Sequence, residues 1–215
     1  MPLTLFDPSN SGASVPPKRR RRLPDFLRET ELAALFEAAW KVWQETSDAT
    51  PKWKHARHRD YVMVMTAYYC GLRVRELCNL NVEDIDLEGE LLIVRHGKGD
   101  QDGAVPICAK LLTVLKDWIG ERTSGVLFPD PRGRHVHTRH FRDRLYYFAK
   151  RAAIPRKCNP HQLRHSYCTH LLRKGVSKGV TVFDVQRLMR HRDIKSTAFY
   201  LHLVPGKLKE AVELL

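Results

Sequence analysis

Two pairs of residues towards the C-terminal end of the sequence have side chains that can handle a phosphodiester. His161 and Arg164 are three apart, so on a helix they project from one face within a single turn. A guanidinium offers a planar fork of donors to phosphate oxygens, and an imidazole exchanges a proton near neutral pH. His191 is followed nine residues later by Tyr200, a candidate nucleophile. The set suits an anion undergoing chemistry.

Helix signals surround these residues. Asn159 is a good N-cap and Pro160 suits the first helical position. Apolar residues then recur at helical spacing, at Leu163, Tyr167, Leu171 and Leu172. Thr181, with Asp184 in capping-box position, predicts a second helix that ends near His191.

An arginine follows a predicted core helix upstream. Residues 60–70 are apolar on nearly all sides of a helix, and Gly71 breaks it just before Arg73. A stiff support of this kind suits an arginine that meets a phosphate with little reorganisation. Glu76, one turn on, can orient that guanidinium. Taken alone, the pair also fits a structural salt bridge.

A glycine-rich loop separates two short β runs, residues 91–94 and 104–107. Lys98 lies between Gly97 and Gly99, and glycines let the backbone approach a ligand closely. A lysine there can protonate a leaving oxygen if its pKa is lowered. The alternative is a surface lysine at a turn.

The ordered set of motifs resembles the tyrosine recombinases, the family of phage integrases. The pattern HxxRH, followed by His and then Tyr nine residues on, resembles that family's active-site region. GLRVREL matches the segment with its first arginine at Arg73, and HGKGDQDGAVPI matches its lysine-bearing β-hairpin at Lys98. The resemblance covers roughly residue 23 to the end and implies an α+β, mainly α-helical catalytic domain with a small antiparallel sheet.

The resemblance also implies a site-specific DNA recombinase and a mechanism. Tyr200 would attack the scissile phosphate and form a 3′-phosphotyrosine, while neighbouring cations stabilise the phenolate and the phosphate. Neither a metal nor another cofactor is required. The implied catalytic residues are Arg73, Lys98, His161, Arg164, His191 and Tyr200, with Glu76 in support.

Composition agrees with a polyanionic partner such as double-stranded DNA. Lys and Arg number 37 against 24 Asp and Glu, which gives a net charge of +13. The 5 cysteines include no CxxC pair and indicate reduced thiols, as in the cytoplasm of a prokaryotic cell, where the family acts at the nucleoid. No apolar run approaches the roughly 18 residues that a membrane span needs.

Clustered cations mark candidate DNA contacts. Residues 1–22 lack apolar periodicity and predict a flexible arm, ahead of a catalytic domain at 23–215. The arm is either a DNA contact or a solvated tail. The candidate backbone contacts are Lys18, Arg19, Arg20, Arg21 and Arg22 in the arm, and Arg132, Arg134 and Arg139 in a later loop.

The remaining elements are predicted from periodicity. A helix over 23–43 has Thr30 as a possible cap, and the polar residues 46–60 predict a loop. Two more amphipathic helices are predicted over 109–121 and 138–152, the second capped by Thr138.

The resemblance also sets expectations about partners. The family usually carries a separate clamp domain of about a hundred residues ahead of the catalytic domain, for which this sequence has no room. We therefore expect either no clamp or an accessory DNA-binding protein. The C-terminal segment is expected to dock on a neighbouring protomer, in a homo-oligomer that is a tetramer on paired sites, or to fold back on its own domain.

Three other readings stay open. His135, His137 and His140 cluster, as do Cys158, His161 and His165, but the nearby arginines would repel a metal cation. A type IB topoisomerase-like enzyme would use similar chemistry to relax DNA. A non-catalytic DNA-binding regulator would use the same residues only to hold phosphate.

Overall fold

The structure, a computed structural model, describes residues 25–45, 50–95 and 102–190. The described part is mainly helical, as the sequence predicted, with one small antiparallel sheet of strand order β1-β2-β3. The helices are Glu29–Gln44 (α1), Pro51–Tyr69 (α2), Val74–Cys78 (α3), Ala109–Ile119 (α4), Thr138–Arg151 (α5), Pro160–Gly175 (α6) and Val182–Met189 (α7). The strands are Ile85–Asp86 (β1), Leu91–Val94 (β2) and Gly103–Pro106 (β3).

Helix α2 forms the centre of the core. Its residues 62–67 are all buried, and it packs against α1, α4, α5 and α6. Complete burial of each such Val or Met side chain contributes about 1.5–3 kcal/mol, so this helix is a stiff support. Among the described residues no helix, α2 included, is long and apolar enough to cross a membrane.

The predicted loop over residues 46–60 is wrong from Pro51 onwards. Pro51 is the first residue of α2, a position that its fixed φ and missing N–H suit. The polar residues after it, among them Lys52 and Lys54, are exposed on the first turns of the helix. Polarity here marks a solvated helix end rather than a loop.

Gly71 turns the chain from α2 towards α3. Its φ is +55°, in the left-handed region that favours glycine. A Cβ at this position would lie 2.5 Å from Cδ1 of Tyr167 on α6, so any side chain would collide with that ring. The close approach joins this turn to α6, and Arg73, two residues on, is the N-cap of α3.

The β-hairpin confirms one predicted strand and shifts the other by one residue. Strand β2 occupies 91–94, and β3 occupies 103–106 instead of 104–107. Leu92 pairs with Val105 and Val94 with Gly103, which fixes the register. The loop with Lys98 lies outside the described residues.

Two predicted helix caps are confirmed and two are wrong. The Asn159 Oδ1 accepts the N–H of Gln162 at 3.2 Å, and the Thr181 Oγ1 accepts the N–H of Asp184 at 3.2 Å. Thr30 lies inside α1, whose N-cap is Arg28. Thr138 is the first residue of α5, whose N-cap is His137.

Candidate active site

A buried carboxylate gathers three arginines from three parts of the chain. The Oε1 atom of Glu76 lies 2.5 Å from Nη1 of Arg73, and its Oε2 lies 2.8 Å from Nη2 of Arg190. Nη1 of Arg164 lies 3.9 Å from Oε2. We call these four residues the Glu76 cluster. It joins α3, α6 and the end of α7 around one negative charge.

The cations keep Glu76 ionised. Burial by itself raises the pKa of its carboxyl, but the charge of Arg190 and the hydrogen bonds and charge of Arg73 outweigh burial, so that the pKa lies below its usual value. At neutral pH the cluster therefore holds one carboxylate among three guanidinium groups, with an excess of positive charge.

Arg73 is the part of the cluster that faces open space. Its side chain is 26% exposed and lines a cleft of about 630 Å³, together with Arg75 and Arg95. Its Nη2 also donates to the carbonyl of Arg190 at 3.1 Å. The predicted pairing with Glu76 fixes the guanidinium at the mouth of a basic cleft of a size that can take a phosphate.

Arg164 lies deeper than its spacing from His161 suggests. Its side chain is only 5% exposed, and its guanidinium donates to the carbonyls of Gly71 and Met189. His161 is exposed. Both side chains project from the first turns of α6, but that of His161 is exposed and that of Arg164 is buried.

The pKa of the His161 imidazole is lowered, so the ring can act as a base. Partial burial lowers the pKa of its imidazole, and the charges of Arg164, Arg142 and Arg73 lower it further. The ring is therefore neutral at pH 7 and can accept a proton. The charges of Arg73 and Arg164 thus both act on the His161 imidazole.

The end of α7 leads into the other predicted catalytic residues. The carbonyls of Met189 and Arg190 accept hydrogen bonds from Arg164 and Arg73, so both arginines hold the chain immediately before His191. His191, Tyr200 and Lys98 lie outside the described residues, and their roles stay predictions.

The predicted DNA contacts of the later loop are at the surface. Arg134 pairs with Asp130 at 2.9 Å, and Arg139 lies 3.7 Å from Asp143. Backbone hydrogen bonds, first from Arg134, lower the pKa of Asp130 to about 2, so this carboxylate offsets part of the loop's positive charge. Arg132 is exposed in the same turn. The arm residues Lys18, Arg19, Arg20, Arg21 and Arg22 lie outside the described residues.

The three clustered histidines have separate partners. Nε2 of His135 lies 3.0 Å from Oδ1 of Asn81, and Nδ1 of His137 accepts the N–H of Arg139. Nε2 of His140 lies 3.0 Å from Oδ1 of Asp60. Across the ranges that the structure describes, no group of three or more His, Cys, Asp or Glu residues could hold a metal ion.

Sequence reasoning missed two arginines of this region. Arg142 lies close enough to lower the pKa of His161, and Arg190 belongs to the Glu76 cluster. A basic residue directly before His191 was a weak signal for Arg190. Its contact with Glu76 joins positions 114 residues apart, which no local pattern reveals.

Comparison with known proteins agrees with this geometry. Residues 25–206 match the family model described as the Phage integrase family. A tyrosine recombinase of Pseudothermotoga lettingae is 36% identical over 202 residues, which cover 93% of this chain and 63% of that protein. Tyrosine recombinase XerA of Pyrococcus furiosus is 37% identical over 92% of this chain and 64% of that protein. The chain thus spans less than two thirds of the length of these relatives.

Solved structures show the same fold. The crystal structure of XerA recombinase superposes with a TM-score of 0.70 at 28% identity, covering 93% of this chain and 66% of that one. A post-cleavage complex of XerH site-specific recombinase with a palindromic difH substrate gives a TM-score of 0.72 at 26% identity, covering 89% of this chain and 53% of that one. By its family match, its motifs and its fold, this chain belongs to the phage integrase family, the tyrosine recombinases.

Proposed function

We propose that this chain cleaves and rejoins DNA strands at specific sites through a covalent bond between Tyr200 and a 3′-phosphate. The observation that carries the proposal is the convergence of Arg73 and Arg164 on one buried carboxylate, next to the chain that leads to His191. Guanidinium groups held in advance stabilise charge that develops on a phosphate in the transition state.

In the proposed reaction the phenol of Tyr200 needs help, because its ordinary pKa is roughly 10. The neutral imidazole of His161 can take the proton. Attack by the phenolate oxygen on phosphorus forms the phosphotyrosine and releases the 5′ oxygen. Lys98 gives that oxygen a proton, while His191 donates to the phosphate. The new ester keeps the free energy of the broken bond, so a second 5′ hydroxyl can reverse the step.

Arg73 and Arg164 take different parts in this proposal. Arg73 already opens to the cleft and can hold a non-bridging oxygen directly. Arg164 donates to two peptide carbonyls and its side chain is only 5% exposed, so little of its guanidinium can be reached by a phosphate in this arrangement. Contact by Arg164 therefore requires a small movement of the end of α7 or of the turn at Gly71.

DNA is the partner that the charges favour. The net charge of +13, the basic cleft and the surface arginines Arg132, Arg134 and Arg139 all suit a phosphate backbone. The XerH complex with its difH substrate supports the same choice. Residues 1–22 would add phosphate contacts as a basic arm ahead of a catalytic domain at 23–215.

Assembly and place of action are part of the proposal. Recombination joins two sites, so we propose a homo-oligomer, a tetramer on paired sites, assembled through the C-terminal segment. An accessory DNA-binding protein would bind the opposite face of the duplex. The reaction would take place on cytoplasmic DNA in the nucleoid.

A nicked suicide duplex tests the proposal. Such a substrate loses a short fragment after cleavage, so the covalent complex accumulates and is seen on a denaturing gel. We expect attachment by the wild type and none by Tyr200→Phe, with the affinity for intact duplex unchanged. A non-catalytic regulator would bind without attaching, and a relaxing enzyme would attach without assembling on paired sites.

Removal of metal ions provides a second arm of this test. Because arginines rather than a metal ion are proposed to hold the phosphate, strand cleavage should proceed equally in EDTA and in magnesium. Activity that EDTA abolishes and magnesium restores would indicate a metal nuclease instead.

A further inference from the structure

Arg190 adopts a backbone conformation that its residue type disfavours. It is the C-cap of α7, with φ 51° and ψ 44°, in the left-handed region. Glycine is the usual residue in this conformation, because a Cβ crowds the following carbonyl. An arginine here needs side-chain contacts that offset the strain and that a glycine could not make.

Arg190 is tied to Arg73 from two directions, once through its backbone and once through its side chain. Its carbonyl accepts a hydrogen bond from Nη2 of Arg73 at 3.1 Å, and its own Nη2 donates to Glu76, the carboxylate that also holds Arg73, at 2.8 Å. Nη1 of Arg190 donates to the carbonyl of Leu188 at 3.0 Å. The side chain is 11% exposed, and its Nε has no hydrogen-bond partner among the described residues.

The stem of the same side chain lies against the base of the hairpin. A Cβ built on Gly103 would lie 2.6 Å from Cδ and 3.2 Å from Cγ of Arg190. Gly103 is the first residue of β3 and pairs with Val94, directly where the strands leave for the loop that contains Lys98. The absence of a side chain at Gly103 lets the arginine lie flat against the strand.

From this juxtaposition we infer that Arg190 is a positioning residue, which joins the base of the hairpin to the Glu76 cluster. It touches the strand that leads to Lys98, the carboxylate that orients Arg73, and the peptide that leads to His191. One side chain thereby sets the spacing of three segments that must meet the same phosphate. The inference rests on the proposed function, since positioning matters only if these segments act together.

A purely structural role makes a different prediction. If Arg190 only stabilised the end of α7, its replacement would lower the free energy of unfolding without lowering the rate at which the folded protein attaches to DNA. If it positions the segments, the rate of covalent attachment at saturating DNA falls while the affinity for DNA stays the same.

The test uses the full chain and the nicked suicide duplex. Arg190→Gly relieves the backbone strain, keeps the backbone carbonyl and removes the side-chain contacts with Glu76 and Gly103. It should slow attachment by about 10- to 100-fold, the effect of losing a charge-assisted hydrogen bond. Arg190→Lys keeps a stem and a charge but not the fork, and should lie between Arg190→Gly and the wild type. Arg187→Ala removes an exposed arginine of the same helix and should attach at the wild-type rate.

The contact with the hairpin is tested by a double-mutant cycle. Gly103→Ala should slow attachment because its methyl group displaces the stem of Arg190. In the Arg190→Gly background the same methyl group meets open space, so its effect should largely disappear. If the fold-changes of Gly103→Ala and Arg190→Gly simply multiplied in the double variant, the link between Arg190 and the hairpin would be overturned.

The outcomes separate this inference from the proposed function. A wild type that never attaches to DNA contradicts the proposed function and, with it, the positioning role. A wild type that attaches while Arg190→Gly attaches equally fast, with equal affinity, overturns the positioning role alone. An equal slowing by Arg187→Ala would also overturn it, since general loss of charge would then explain the result.

Discussion

Two buried carboxylates in this protein are each surrounded by arginines, but their surroundings differ in one respect. Asp60 pairs with Arg59 at 2.8 Å, with Arg144 at 2.7 Å and with His140 at 3.0 Å, and all its partners belong to α2 and α5. We call these four residues the Asp60 cluster. The Glu76 cluster instead joins three separated segments and leaves Arg73 26% exposed at a cleft.

The difference shows what separates a structural ion cluster from a candidate active site. Arg59 is buried, and its Nη1 donates to the carbonyl of Pro129 at 2.7 Å, so its donors serve the protein itself. Arg144 lies over the rings of Tyr147 and Phe148. The Asp60 cluster fastens α5 to α2, and its Arg144, though 24% exposed, lies against aromatic rings, whereas Arg73 of the Glu76 cluster lines a cleft.

The largest expected effect on stability comes from breaking the Asp60 cluster. Asp60→Ala leaves Arg59 as a buried charge without its carboxylate, which should lower the free energy of unfolding by about 3–5 kcal/mol in urea titrations. Asp143→Ala removes a carboxylate from an exposed pair with Arg139 and should cost about 0–1 kcal/mol. Equal losses for the two variants would contradict the assigned difference between buried and exposed pairs.

The largest expected effect on rate comes from Arg73. Arg73→Ala should slow covalent attachment to the suicide duplex by about 10²–10³-fold, because it removes a donor aimed at developing charge. The control is Arg151→Ala, which removes an arginine paired with exposed Glu45 and should leave the rate unchanged. If Asp60→Ala slowed covalent attachment by the folded protein as much as Arg73→Ala does, the assignment of a structural role to the Asp60 cluster would be wrong.

A smaller effect should follow from loosening α7, which supplies two carbonyls to the Glu76 cluster. Thr181 and Asp184 form its capping box, so Thr181→Ala should cost about 1 kcal/mol and speed hydrogen exchange in this helix. Thr181→Ser keeps the accepting oxygen and should behave like the wild type. Faster exchange in α2 rather than in α7 would show that the cap acts on the whole fold.

A pH-dependent effect concerns the residue after Arg164. Burial, followed by the charges of His161 and Arg164, lowers the pKa of His165 to about 4. The unfolded chain therefore binds more protons at this residue between about pH 6.5 and 4, and stability falls as pH falls through that window. His165→Gln should reduce the slope of the free energy of unfolding against pH, by up to the equivalent of one bound proton. An unchanged slope in urea titrations would show that His165 titrates normally in the folded protein.

The sequence predicted what local patterns encode. Asn159 and Thr181 were identified as caps because a cap and its partner lie three residues apart, and β2 was predicted from its run of Leu, Ile and Val. Polar residues after Pro51 concealed the start of α2, since a solvated helix end and a loop have similar composition. Arg190 was missed because its importance depends on Glu76 and Gly103, which only folding brings near.

Local sequence patterns also could not predict how deeply Arg164 is buried. Spacing placed it on the same helical face as His161, and the fold then covered it with the turn at Gly71 and the end of α7. Residue type and spacing therefore indicated that Arg73 pairs with Glu76, and tertiary packing decided that Arg73 rather than Arg164 faces the cleft.

The most direct test of the central claim is identification of the residue that becomes linked to DNA. The wild type is incubated with the nicked suicide duplex, digested with a protease and a nuclease, and the nucleotide-bearing peptide is sequenced by mass spectrometry. We predict a single modified residue, Tyr200, joined through a 3′-phosphate. Attachment at another residue, or through a 5′-phosphate, would contradict the account.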